Sequence, residues 1–99
     1  MKLHDLAHCR AGDKGNLSTL SLFAFDPRDY DSLLAAVTAD RVLDHLGPAD
    51  VREVRRYEVP NLGALHFVCV RDEARSVTVT LDLDAHGKSL SYMLLGMDI

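Results

Sequence analysis

The sequence predicts an α+β fold in two layers, with one mainly antiparallel sheet and helices on one of its faces. Two observations support this prediction: an apolar stripe with helical spacing between residues 26 and 47, and segments in which apolar and polar residues alternate. The order of these segments along the chain suits helices packed on one side of an antiparallel sheet. The other face of the sheet must then be polar or meet a partner.

The clearest helix begins at Asp26-Pro27, because aspartate is a good N-cap and proline fits the first helical position. Apolar residues then recur with helical spacing at Tyr30, Leu33, Leu34, Val37, Val42, Leu43 and Leu46. Thr38 divides this stripe and is a suitable second N-cap, and Gly47-Pro48 ends the segment. The pattern predicts a bent helix or two abutting helices.

Alternation typical of a half-buried strand is clearest from Ser76 to Leu83, and Leu17 to Phe25 shows the same pattern. In the second segment Leu20, Leu22 and Ala24 share one face, and Thr19, Ser21 and Phe25 share the other. Lys2 to His8 predicts a shorter strand. The intervening residues 12–16 have the composition of a hairpin turn.

The remaining segments are less regular. Val51 to Val59 predicts a charged edge strand that Pro60 ends, and three arginines protect that edge from further pairing: Arg52, Arg55 and Arg56. Residues 61–70 fit either a short helix capped by Asn61 or a strand. Residues 89–98 have apolar side chains at helical spacing and predict a terminal helix, although alternation fits them nearly as well.

Length and composition indicate one globular domain over residues 1–99, with 47% hydrophobic and 26% charged residues. The net charge of −4, with basic and acidic residues interleaved, argues against nucleic acid or an anionic membrane as partner. No apolar run reaches the roughly 20 residues of a membrane span, and Met1 to Asp5 lack the apolar stretch of a signal peptide. We therefore expect a cytoplasmic protein with free thiols at Cys9 and Cys69 and no cofactor.

The segment from Ala7 to Asn16 contains the strongest candidate for a binding site. Its candidate residues are His8, Arg10, Gly12, Asp13, Lys14, Gly15 and Asn16. Glycines allow successive backbone N–H groups to point at one anion, Arg10 can bind a carboxylate or phosphate through two donors, and Lys14 adds a point charge. The competing interpretation is a hairpin turn whose residues serve backbone geometry alone. The spacing of the lysine and glycines matches neither the phosphate-binding loop nor the dinucleotide-binding fingerprint.

Other candidates are weaker. Tyr57, Glu58 and Asn61 lie where the charged strand ends, either as part of a site or simply as a strand terminus. Cys9 follows His8 directly, and because adjacent strand residues point to opposite faces, the histidine is not positioned to activate the thiol. We therefore expect Cys9 to fill space as a small apolar group. The five histidines lack ligand spacing, so no metal site is predicted.

Three motifs resemble a known family. AHCRAGDKGN at residues 7–16 resembles the A-H-x-R-x-G-D-K-G-N signature of the AtuA-like domain, which closes larger AtuA (acyclic terpene utilisation) proteins and also occurs as short free-standing proteins. YEVPNLGALHFV at residues 57–68 is similar to the family's Y-E-x-P-N-x-x-A-L-N-F-V. The third motif has two parts, DAHGKSL at residues 84–90 and LLGMDI at residues 94–99. The three motifs follow in the family's order and span nearly the whole chain.

The resemblance implies a ferredoxin-like α+β fold and action beside a larger AtuA-type protein in the breakdown of terpenoid or branched acyl compounds. It assigns no catalytic residue. Its motif positions fall on the candidate residues of the 7–16 segment and on Tyr57, Glu58, Pro60 and Asn61. Two departures matter: Cys9 stands at a variable position, and the segment after Val68 lacks the glycine-rich stretch of the large proteins.

Three functions remain open at this point. The first is an accessory domain or subunit that docks on a larger AtuA-type chain through the free face of its sheet. The second is a small anion- or acyl-CoA-binding enzyme in which His8, Arg10 and Lys14 hold a phosphate or carboxylate, with Glu58 or Asp13 as the base. The third is a homo-oligomer whose sheets pair face to face.

Overall fold

A computed structural model describes residues 1–71 and 90–99, and the structural statements below concern those residues. The strands are β1 (Ala7–Lys14), β2 (Leu17–Ala24), β3 (Val51–Val59) and β4 (Ala64–Arg71). The α-helices are α1 (Tyr30–Ala36), α2 (Ala39–Leu46) and α3 (Leu90–Leu95). Short 3-10 turns occupy Leu3–Asp5, Pro27–Asp29, Gly47–Ala49 and Pro60–Leu62. The predicted strand Ser76–Leu83 lies outside the described residues.

The four described strands form one antiparallel sheet in the order β1-β2-β4-β3. Side chains from the middle strands, Leu20, Leu22, Leu65, Phe67 and Cys69, are fully buried on one face and meet the helices there. Each aliphatic side chain buried in this way contributes about 1.5–3 kcal/mol. This is the two-layer α+β arrangement, consistent with a ferredoxin-like fold, that the sequence predicts.

Hydrogen bonds between the layers add to this apolar contact. The Tyr30 hydroxyl donates to the Ala64 carbonyl oxygen at 2.9 Å, which ties the start of α1 to β4. Within the helical layer, His45 Nε2 lies 2.6 Å from the Met93 carbonyl oxygen and joins α2 to α3. The helices are thereby held on the same face of the sheet.

The helical segment between residues 26 and 47 is two abutting helices, as its two caps predict. The Asp26 carboxylate accepts a hydrogen bond from the Arg28 N–H at 2.9 Å, with Pro27 as the first residue of the turn that leads into α1. The Thr38 hydroxyl accepts from the Arg41 N–H at 3.2 Å and begins α2. These side chains satisfy amide donors that a helix start otherwise leaves open.

The prediction of a strand from Lys2 to His8 is wrong in its bounds. Leu3 is fully buried in a 3-10 turn, and its N–H donates to the Met97 carbonyl oxygen instead of to a neighbouring strand. The first strand begins only at Ala7 and continues to Lys14, through most of the predicted turn. Only Gly15 and Asn16 remain as the two-residue connection to β2.

The structure assigns the two segments whose sequences fitted both helix and strand. Residues 61–70 contain the end of a 3-10 turn followed by most of β4, with Gly63 at φ 58° between them. In the terminal segment Leu90–Leu95 form helix α3, as helical spacing predicts, whereas Asp98 pairs with Lys2 in an isolated β-bridge. No helix in the described part of the chain is long and apolar enough to cross a membrane.

Candidate functional site

The sheet face opposite the helices carries most of the predicted candidates, and we call it the open face. Strand register assigns to it His8, Arg10, Gly12 and Lys14 from β1, Leu17, Thr19, Ser21 and Phe23 from β2, Glu53, Arg55, Tyr57 and Val59 from β3, and Ala64, His66, Val68 and Val70 from β4. Paired residues on neighbouring strands point to the same side. The open face therefore combines polar, cationic and apolar side chains.

The predicted anion-binding residues do not converge on one point. His8, Arg10 and Lys14 share the open face, but residues six apart in a strand are separated by about 20 Å. Asp13 points to the opposite face, where its Oδ1 accepts a hydrogen bond from the Ser18 hydroxyl at 2.7 Å. A single small anion therefore does not reach all of these residues at once. Anion binding by this segment stays a prediction.

The signature glycines serve the hairpin itself. Gly12 lies within β1 opposite Thr19, whose hydroxyl donates to the Gly12 carbonyl oxygen at 3.3 Å. A Cβ at this position would stand 3.1 Å from the Thr19 hydroxyl oxygen. Gly15 has φ 61° at the first position of the two-residue connection to Asn16, a backbone conformation that favours glycine.

Arg10 and Lys14 give the open face an excess of positive charge. Among the described residues, neither side chain makes a hydrogen bond or an ion pair. The other cation of the open face, Arg55, has Glu53 beside it, with Arg55 Nη2 lying 3.5 Å from Glu53 Oε2. Two uncompensated cations on one face of a protein with net charge −4 mark that face as the attractive one for anions.

Four polar side chains form a line across the sheet, one from each strand: Arg10, Ser21, His66 and Tyr57. We call this line the cross-strand row. At its centre Ser21 Oγ lies 2.9 Å from His66 Nδ1, and both side chains are half-buried. The Tyr57 ring lies 6.5 Å from the His66 ring and is tilted by 43° to it.

An aromatic stack lies beside this row. The His8 ring packs on Phe23 at 5.0 Å between centroids, with 14° between the ring planes. The same ring also stacks with Phe25 at 5.7 Å between centroids, with 28° between the ring planes. Phe25 remains 61% exposed, so the stack presents an aromatic surface to the solvent. His8 is therefore engaged with aromatic rings, in a direction away from Lys14 along the strand.

The three secondary candidates, Tyr57, Glu58 and Asn61, do not lie together in the structure. Tyr57 belongs to the cross-strand row, half exposed. Glu58 points to the opposite face, where Arg56 Nη2 lies 3.6 Å from its Oε2. Asn61 is exposed in the 3-10 turn after β3. Asp13 and Glu58, the two residues suggested as a base, therefore lie on the face opposite Arg10.

Sequence reasoning did not select Ser21 and His66 as site residues. The alternation of apolar and polar residues in β2 places Ser21 on the outward face. Its partner His66 lies 45 positions later in the chain, in another strand. His66 lies in a segment whose sequence fits helix and strand alike, so no face could be assigned to it. Only the register of β2 against β4 reveals the pair.

Burial makes both cysteines of the chain poor nucleophiles. Cys9 lies on the face opposite His8, as predicted, and burial raises the pKa of its thiol to about 12. Burial likewise raises the pKa of Cys69 to about 11. Both are free thiols that stay protonated near neutral pH. Within residues 1–71 and 90–99, no group of three or more His, Cys, Asp or Glu side chains is placed to hold a metal ion.

Two surface clefts lie away from the predicted site. One of about 450 Å³ is lined by Lys2, His4, Tyr92, Leu95 and Gly96. The other, of about 350 Å³, is lined by Arg41, Asp44, His45, Met97 and Asp98. Neither contains a residue of the open face.

Comparison with known proteins agrees with the three sequence motifs. No curated protein and no solved structure shows significant similarity to the chain. The family model described as AtuA ferredoxin-like domain matches residues 1–99. The match covers the antiparallel sheet and the helical layer that the described residues form, and it includes all three motifs. The chain therefore belongs to the AtuA ferredoxin-like domain family.

Proposed function

We propose that this protein is an accessory domain or subunit that docks on a larger AtuA-type chain through its open face, in the cytoplasm. In this proposal the assembly acts in the catabolism of terpenoid or branched acyl compounds. Family membership supports the choice of partner, because the AtuA-like domain that the sequence resembles also closes larger AtuA proteins. The composition of the open face supports the choice of surface.

One observation carries the docking proposal: cations without partners lie beside apolar side chains that solvent still reaches. In the described part of the chain Arg10 and Lys14 are unpaired, while Leu17 is 37% and Tyr57 50% exposed on the same face. Aromatic residues and arginine are enriched where proteins meet. An acidic surface of the larger chain would complement these cations and cover the apolar side chains.

A second copy of this chain is the competing occupant of the open face. Face-to-face pairing would bring the Arg10 and Lys14 side chains of both copies onto one buried surface, where like charges repel. A homo-oligomer built in this way requires the two sheets to be offset, so that the Arg10 and Lys14 side chains of one copy lie away from those of the other. The charge of the open face therefore favours an acidic partner over self-association.

Co-expression with an AtuA-type protein, followed by affinity capture and sedimentation velocity, tests the docking proposal. We expect a stable complex that Arg10→Ala and Lys14→Ala weaken and that high salt weakens further. Arg28→Ala is the matched control, because the Arg28 side chain is 90% exposed and pairs only with Asp26, outside the open face. A domain that sediments alone beside the AtuA-type chain, or that forms only a homodimer, contradicts the proposal.

The second candidate function is binding of an acyl-CoA or similar extended anion, and the unpaired state of Arg10 and Lys14 favours it. These residues are four apart in β1, which separates them by about 13 Å. That distance is too long for a small anion and suits a ligand with charges spread along its length. Calorimetric titration with CoA thioesters should show saturable heat, and Arg10→Ala and Lys14→Ala should each cost about 1–3 kcal/mol. Absence of heat with every thioester contradicts this function.

A further inference from the structure

The open face differs in chemistry from one end to the other. Its first row across the sheet is His8, Phe23, Ala64 and Val59, and its last row is Lys14, Leu17, Val70 and Glu53. The first row contains no Asp, Glu, Lys or Arg, whereas the last row contains a lysine and a glutamate. The two rows are six residues apart along β1, or about 20 Å. The open face therefore has an aromatic end and a charged end.

The aromatic end is held in place by ring contacts within this chain. His8 stacks with both Phe23 and Phe25, at 5.0 and 5.7 Å between ring centroids. Phe25 follows directly after β2 and keeps most of its surface in contact with water. A side chain that is already ordered in the free protein loses less conformational freedom when a partner buries it. The aromatic stack therefore offers a preorganised apolar contact surface.

The aromatic stack and the cations of the open face act on different steps of binding. Aromatic residues are enriched among those whose loss weakens protein complexes most, and such losses usually appear in the dissociation rate. Exposed cations act over a longer range, so they mainly raise the association rate, and salt screens this effect. Lys14 is exposed at the end of β1 beside the hairpin connection, and Arg10 lies between Lys14 and the stack.

A second copy of the chain complements this arrangement in neither orientation. If two open faces meet with the same ends together, the Lys14 side chains of the two copies lie against each other. If opposite ends meet, each Lys14 lies against the aromatic stack of the other copy. Glu53 is the one carboxylate that strand register assigns to the open face among the described residues, and Arg55 already lies beside it. The cations of the open face thus require carboxylates from a different protein.

We propose that the open face binds its larger partner in one orientation, with an apolar side chain of the partner on the aromatic stack and acidic side chains over Arg10 and Lys14. This inference rests on the proposed docking on an AtuA-type chain and adds the chemistry that the partner's surface must present. The partner's apolar side chain and its farthest carboxylate are then about 20 Å apart. The stack determines how long the complex lasts, and Lys14 determines how fast it forms.

Surface plasmon resonance with an immobilised AtuA-type protein, at several salt concentrations, separates these two contributions. Phe25→Ser should raise the dissociation rate about tenfold and leave the association rate within about twofold of the wild type. Lys14→Ala should lower the association rate about threefold at low salt and change the dissociation rate little. Tyr92→Ser is the matched control for Phe25→Ser, because Tyr92 is an aromatic residue with 66% exposure on α3, in the helical layer. It should bind as the wild type does.

Cross-linking of the complex tests the orientation itself. A carbodiimide joins an amine to a carboxylate that lies in contact with it, so Lys14 should be recovered on an Asp or Glu of the AtuA-type chain. A photoreactive benzoylphenylalanine at position 25 should capture an apolar segment of the same chain at a separate site. The two captured sites should be about as far apart as the two ends of β1.

The orientation is wrong if Phe25→Ser binds as well as Tyr92→Ser, or if Lys14 and position 25 are captured by adjacent residues of the partner. Either result leaves docking in place, because the complex still forms. If the wild type forms no complex with the AtuA-type chain, docking itself is wrong and the orientation is wrong with it. Amide spectra will verify that Phe25→Ser folds, and Phe25→Leu, which keeps an apolar side chain without the ring, should have an intermediate dissociation rate.

Discussion

Arg56 reaches from β3 under the helical layer and binds the C-terminal end of α1. Its Nη1 lies 2.7 Å from the Leu34 carbonyl oxygen and 3.1 Å from that of Val37. These carbonyls belong to the last turn and the C-cap of α1, where a helix leaves acceptors without intrahelical donors and where a cation is favourable. One side chain thereby fixes both the end of α1 and its position over the sheet.

Replacing Arg56 should therefore destabilise the protein far more than replacing the neighbouring Arg55. Arg56→Ala removes charge-assisted hydrogen bonds to half-buried carbonyls, and we expect the free energy of unfolding to fall by about 1.5–3 kcal/mol. Arg55→Ala is the matched control. The Arg55 side chain is 61% exposed and has only an ion pair with Glu53, so its loss should change stability by less than about 0.5 kcal/mol. Urea denaturation measures both variants, and equal effects would contradict the structural role of Arg56.

The same arginine illustrates the limit of sequence reasoning in this chain. The charged run predicted a strand, and β3 lies at one edge of the sheet that the described residues form. The pattern did not distinguish between Arg52, Arg55 and Arg56, however. A long side chain with an apolar stem suits either face, so alternation alone does not reveal that Arg56 joins the helical layer. The caps at Asp26 and Thr38 act locally, and for that reason the sequence predicted them accurately.

The candidate site shows the same difference between local features, which the sequence predicts, and contacts between distant segments, which it does not. The sequence identified the signature segment and Tyr57, and it predicted that His8 and Arg10 share a face. The Ser21–His66 pair depends on a register between distant strands, which no local pattern contains. The extension of β1 through Gly12 was missed because two glycines within four residues are more typical of a turn than of a strand.

Gly15 should be the glycine of the signature with the largest effect on folding. Its φ of 61° is costly for any residue with a Cβ, although open space surrounds the position. We expect Gly15→Ala to lower the free energy of unfolding by about 1–2 kcal/mol, and Gly15→Asn to cost less. Gly47→Ala is the control, since that site also has open space but a helical φ of −51°. If Gly47→Ala lowers the thermal unfolding temperature more than Gly15→Ala does, backbone strain does not explain why glycine occupies position 15.

Asp13 should prove to be a structural residue of the signature. Its carboxylate accepts from Ser18, which is 2% exposed, across the β1–β2 pair. Ser18→Ala and Asp13→Ala should each cost about 1–2 kcal/mol, and the double variant should cost less than their sum because both lose the same bond. Chemical denaturation of the four proteins measures this coupling. Strictly additive losses in the double variant would contradict this structural role of Asp13.

The buried thiol of Cys9 should make the protein less stable at alkaline pH. Its pKa rises from 9.0 to about 12 on folding, so above pH 9 the unfolded chain releases a proton that the folded chain keeps. The unfolded state then binds fewer protons, and stability falls as pH increases from about 9 towards 12. Between pH 7.5 and 10 we expect this thiol to account for no more than about 1 kcal/mol, because Cys9 is only partly buried. Urea denaturation under reducing conditions should show a smaller alkaline loss in Cys9→Ala than in the wild type, whereas equal losses would mean that the thiol stays accessible to water in the folded protein.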